Sequence, residues 1–172
     1  MPVDQLTDIY RKKTLILGCG NVLFGDDGFG PETARHIEEN YSIPEDTAVL
    51  DAGTGVRDIL FDIALSEHKP ARIVIIDAYD CGREPGELFS VTLEDVPASK
   101  TDDFSLHQVR TSNLLRELRD LARIDITIIA VQPQSIPDVI KPGLSVAVRR
   151  AIPECGEYLV QMGLVGRKAE RP

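Results

Sequence analysis

Residues 14–30 read TLILGCGNVLFGDDGFG. An apolar run ends in Gly18-Cys19-Gly20-Asn21, and Asp26-Asp27-Gly28 follow in the same loop. Glycines directly after a first strand usually announce a phosphate-binding turn at a helix start. The pattern fails here, because Gly-x-Gly-x-x-Gly needs a third glycine where Leu23 stands. The chain also has no Gly-Lys-Ser/Thr triplet. Two adjacent carboxylates would repel a pyrophosphate and suit a cation.

Outward from this stretch, apolar strands alternate with amphipathic helices. The pattern predicts strands at 14–19, 47–52, 72–78, 86–93 and 125–131. It predicts helices at 31–40, 56–65, 108–122 and 144–159, with Pro31 in a first helical turn and Pro153 as a kink. Such alternation means an α/β fold, a three-layer α/β/α sandwich around a mostly parallel sheet of about five strands. The 172 residues make one domain, with polar loose ends at 1–13 and 166–172.

In such folds ligands bind beyond the carboxyl ends of the strands. That edge collects Asn21 and Asp26-Asp27, then Asp51-Ala52-Gly53-Thr54-Gly55, Asp77, Ser105-Leu106-His107-Gln108 and Gln132-Pro133-Gln134. Asp77 closes the strand RIVIID, and a carboxylate there needs either loop amides or a metal. Asp26 and Asp27 are readable as helix-capping acids or as cation ligands. His107 is readable as a solvated loop histidine or as a ligand. Two carboxylates and an imidazole form a plausible three-ligand set for a borderline divalent ion. Asp51, Gly53 and Thr54 suit a tight turn, with ligand contact as the alternative.

The net charge of −9 argues against nucleic acid and anionic membrane surfaces as partners. No signal-peptide pattern and no membrane-length apolar run occurs, so a cytoplasmic protein is expected. Cys19, Cys81 and Cys155 are far apart and suggest no disulfide framework. Cys19 and Cys155 are expected in the core and Cys81 in a loop.

Together LGCGNVLFGDDGFG, DAGTG at 51–55, VIIDA at 74–78, SLHQ at 105–108 and AVQPQ at 130–134 resemble the nickel-iron hydrogenase maturation endopeptidases. The likeness spans nearly the whole chain and is nearest to the enzymes serving the deazaflavin-reducing hydrogenases of methanogens. It implies an endopeptidase that removes the C-terminal extension of a hydrogenase large-subunit precursor after nickel insertion. It also implies that Asp27, Asp77 and His107 are the metal ligands and, through the metal, the catalytic residues. Asn21, Asp26, Gly53 and Thr54 become substrate-contact candidates. Nickel would arrive with the precursor, zinc or cadmium being able to take its place, and the enzyme would be monomeric. Two rival readings are a non-proteolytic nickel chaperone or sensor and a nucleotide-binding α/β enzyme.

Overall fold

The structure is a computed structural model that describes residues 9–94 and 109–168. Its elements, in chain order, are β1 (Thr14–Cys19), a 3-10 turn (Gly25–Gly28), α1 (Phe29–Asn40), β2 (Tyr41–Ser42), β3 (Thr47–Gly53) and α2 (Val56–Leu65). Then come β4 (Arg72–Ala78), β5 (Leu88–Val91), α3 (Val109–Ala122), β6 (Asp125–Val131), α4 (Val146–Gln161) and β7 (Gly166–Arg167).

Five strands form one sheet in the order β3-β1-β4-β6-β5. Four run parallel, and β5 pairs antiparallel with β6 at the edge. The period-two geometry of a strand splits the apolar runs between two cores. Leu15, Leu17, Ile73 and Ile75 join Leu60 and Ile63 of α2 and Leu115 and Leu118 of α3. Ile16, Val74 and Ile76 join Phe29 and Ile37 of α1 and Val148 and Leu159 of α4. Helices therefore cover both faces, giving the three layers that the alternation predicts.

The bounds of β1, α2, β4 and β6 are those read from the sequence. Helix α1 starts at Phe29, so Pro31 still lies in the first turn, where its missing N–H is harmless. Pro153 lies inside α4, and the fourth predicted strand shortens to Leu88–Val91.

Of the expected loose ends, 1–8 and 169–172 lie outside the described residues, and the described inner parts make specific contacts. Tyr10 is buried, and its hydroxyl donates to Asp62 Oδ2 at 3.3 Å. Burial first, then the Asp62 charge, raise the Tyr10 pKa to about 12. At the other end Gly166–Arg167 pairs antiparallel with Tyr41–Ser42. Arg167 also ion-pairs with Glu157. A two-residue strand is too short to carry a periodic signal, which is why it reads as tail.

One close approach sets the site. A Cβ at Gly30 would sit 2.2 Å from the Cys19 carbonyl oxygen and 2.3 Å from that of Ile76. Only glycine lets α1 lie directly on β1 and β4. The preceding Gly25–Gly28 turn is thereby held over the carboxyl ends of those strands.

Candidate functional site

Gly20 follows β1 at φ 125°, a backbone conformation that L side chains rarely adopt. A Cβ there would meet the Asp27 carbonyl oxygen at 1.9 Å and Asp77 Oδ1 at 3.6 Å. The bare backbone at Gly20 therefore lets the loop close on the two acids. Asn21 N–H then donates to Asp27 Oδ2 at 2.8 Å and to the Asp27 carbonyl at 3.1 Å. The Asn21 side chain accepts from Leu23 N–H at 3.0 Å, so it shapes this same turn.

Asp27 is 3 % exposed and Asp77 2 %. Asp27 Oδ1 is buried and has no hydrogen-bond partner among the described residues. Asp77 Oδ1 accepts from its neighbour's amide, Ala78 N–H, at 2.8 Å. Burial pushes the Asp77 pKa well above the usual carboxylate range; the Asp27 charge adds to the rise, and the Ala78 amide opposes it. Two interacting buried carboxyl groups with an orphaned oxygen match what a divalent cation would complete. The donor set fits a metal, and Asp27 and Asp77 are the residues that would hold it. Among the described residues no group of three His, Cys, Asp or Glu side chains converges. His107, the third ligand in the family resemblance, lies outside the described residues, as does the whole of SLHQ.

Asp26, adjacent in sequence, is 1 % exposed but fully engaged. Its Oδ2 accepts from Gln134 N–H at 2.8 Å and Ser135 N–H at 3.0 Å. Its Oδ1 accepts from Ser145 N–H at 2.6 Å, just before α4. Backbone bonds reinforce the tie: Gly25 N–H donates to Lys141 O at 2.9 Å, and Lys141 N–H to Leu23 O at 2.9 Å. Its carboxylate joins the glycine turn to the 134–145 loop.

A family model described as hydrogenase maturation protease matches residues 31–162. The chain belongs to that family. It is 34 % identical over 156 residues to the coenzyme F420 hydrogenase subunit delta of Methanothermobacter thermautotrophicus, covering 88 % of this chain and 94 % of that one. It is 31 % identical over 127 residues to the hydrogenase 2 maturation protease of Escherichia coli, covering 72 % and 75 %. Among solved structures, the hydrogenase maturating endopeptidase HybD of E. coli superposes with a TM-score of 0.74 at 28 % identity, over 92 % of this chain and 99 % of that one.

In this maturation protease the thiols stand as the sequence suggests. Cys19 and Cys155 are buried and Cys81 is exposed. Burial, then Asp77 and Asp51, hold the Cys19 pKa well above its ordinary value, and burial raises that of Cys155 to about 12. Neither is poised as a thiolate nucleophile. Gly53, at φ 49°, uses its carbonyl to accept from Gly20 N–H at 3.1 Å, while Thr54 is exposed. Gly53 thus braces the Gly20 turn across the strand ends.

Gln132 has an organising role that the sequence reading missed. It is 4 % exposed at the end of β6. Its Oε1 accepts from Cys81 N–H and Arg83 N–H, each at 3.0 Å, and its Nε2 donates to Asp80 Oδ1 at 2.8 Å. The available signal was an amide side chain closing a strand that is otherwise apolar.

Proposed function

We propose that this protease cuts the C-terminal extension from a nickel-iron hydrogenase large-subunit precursor, and that the nickel already seated in the precursor is the cation received by Asp27 and Asp77. The observation that carries this reading is the buried Oδ1 of Asp27, without a hydrogen-bond partner among the described residues, beside Asp77. The site would be electrostatically incomplete until a loaded substrate arrives, so unloaded precursor would be left uncut. Such an ion would act as a Lewis acid towards a carbonyl oxygen.

The chain's own groups set the frame. Asn21 N–H fixes one Asp27 oxygen, and Ala78 N–H fixes one Asp77 oxygen. The raised Asp77 pKa favours a neutral acid in the absence of a cation, and a cation would reverse that preference. His107 would complete the ligand set, on the strength of the family resemblance. The same donors would accept zinc or cadmium. Similarity to the coenzyme F420 hydrogenase subunit supports a precursor of the deazaflavin-reducing branch as the first substrate to try. Among the described residues no helix is long and apolar enough to cross a membrane. A monomer working in the cytoplasm is part of the proposal.

The test is intact mass of a nickel-loaded precursor after incubation with the protein, with nickel-free precursor and the Asp77→Asn variant in parallel. Loss of a C-terminal peptide only from loaded precursor with wild-type protein is the expected result. An uncut cognate precursor alongside retained nickel binding would overturn the protease reading in favour of a nickel carrier.

A further inference from the structure

The turn that carries Asp27 also forms one wall of a second feature. A cavity of about 280 Å³ is lined by Gly25 and Gly28 of the turn, by Val22 of the loop before it, and across from them by Gly143. Val22 and Gly28 are sequence neighbours of Asn21 and Asp27, so one continuous loop both lines the cavity and carries Asp27. Three of its lining residues are glycines, which leaves much of the wall as bare backbone. Such a wall suits an extended peptide, which is held through main-chain hydrogen bonds while pockets take its side chains.

The surroundings favour the same occupant. Leu144 and Ile152 add apolar lining. Val22 and Leu23 are each 43 % exposed, and Val139 and Ile140 are 68 % and 69 % exposed. The Lys141 backbone bonds to Leu23 and Gly25 bring these two apolar pairs onto neighbouring loops. Grouped exposed apolar residues beside a site mark an interaction surface.

Two charged side chains line the cavity, Glu32 and Arg149. Glu32 is already ion-paired with Arg35. Arg149 is exposed, and its Nη2 donates to the Leu144 carbonyl at 3.2 Å. No ion pair to Arg149 occurs among the described residues. A guanidinium has five donors in a fork that matches a carboxylate. In a chain of net charge −9, an arginine in a groove with no acidic partner among the described residues is complementary to a carboxylate brought from outside.

We propose that this groove holds an extended segment of the substrate next to the bond that is cut, and that Arg149 binds a carboxylate of that segment. The inference rests on the precursor-processing reading. The carboxylate is an acidic side chain or the end of the substrate chain. Apolar side chains of the segment rest on Val22, Leu23 and Ile152.

The experiment is steady-state cleavage of cognate nickel-loaded precursor by wild type, Arg149→Glu, Arg149→Lys and Arg150→Glu. Arg150 is exposed on the same helix, does not line the cavity, and controls for net charge. The expected result is KM raised about tenfold or more by Arg149→Glu with kcat within about twofold, a smaller rise for Arg149→Lys, and near-wild-type values for Arg150→Glu. Anisotropy of a labelled peptide, comprising the extension and about six preceding residues, should weaken in parallel. Weakening by C-terminal amidation would assign the chain end, and weakening by Asp/Glu→amide changes would assign a side chain. Equal KM and peptide affinity for Arg149→Glu and Arg150→Glu would overturn the groove while leaving the protease reading intact. A wild-type protein that leaves the precursor uncut would overturn both.

Discussion

Asp26 and Asp27 are neighbours in sequence and almost equally buried, yet they differ in how their oxygens are satisfied. Asp26 receives three backbone N–H groups from the 134–145 loop. Asp27 receives one N–H on Oδ2, and among the described residues its second oxygen has no partner. The β6–α4 loop has therefore satisfied one acid, while the strand-end pair of Asp27 and Asp77 is left electrostatically open. Burial by itself does not distinguish an acid that holds a fold together from one that awaits a ligand. The count of donors does.

The largest expected effect tests the open half of the pair. Asp27→Asn and Asp77→Asn should each cut precursor cleavage by more than about 100-fold, since even outer-shell partners of metal ligands cost roughly 10–100-fold. Circular dichroism should show both still folded. Retained cleavage in either variant would break the contrast.

Asp26→Ala should act on stability instead. It leaves three loop amides without their acceptor, and unsatisfied buried groups cost about 1–3 kcal/mol each before relaxation or water entry. A loss of about 3–5 kcal/mol is expected, lowering Tm by roughly 10 °C in a domain of this size. A calorimetric scan with unchanged Tm would show that Asp26 is not the tie described here.

The pH dependence sharpens the comparison further. The folded pKa of Asp77 is raised, so the folded protein holds a proton that the unfolded chain releases from about pH 4 upward. Between the unfolded and folded pKa values the native state binds more protons, and stability falls as pH rises. Metal-free protein should therefore lose stability through this window. Asp77→Asn should flatten that slope and raise Tm at neutral pH. Parallel Tm curves for the two proteins would remove the open-pair interpretation.

The most local effect belongs to Gln132→Ala, which strips the acceptor from Cys81 and Arg83 N–H. We expect faster amide hydrogen exchange at those two residues and a loss of about 1–2 kcal/mol, with strand exchange rates unchanged. Unaltered exchange at Cys81 and Arg83 would show that the loop after β4 is held by other contacts.

How much of this was legible in the sequence follows from the range of each interaction. Apolar runs marked β1, β4 and β6 to the residue, because buried parallel strands need them on both faces. Asp77 stood out because it interrupts such a run, and Gly20 because a turn had to follow β1. The role of Asp26 was not legible. Its partners are backbone amides 108 to 119 positions away, and an amide N–H carries no residue identity. The β2–β7 pair escaped for a different reason, being two residues long on each side.

The Asp26 tie also has a consequence in time. A ribosome delivers the glycine turn early and Ser145 more than a hundred residues later. Until that later segment is made and β6 and α4 are packed, the Asp26 carboxylate lacks the amides that anchor the turn. The turn that carries Asp27 is thus among the last parts of the molecule to acquire its geometry, so in a nascent or half-folded chain Asp27 and Asp77 would not yet be held together. Pulse-labelled hydrogen exchange during refolding would show residues 20–28 gaining protection together with 134–145; earlier protection of the turn would contradict this order.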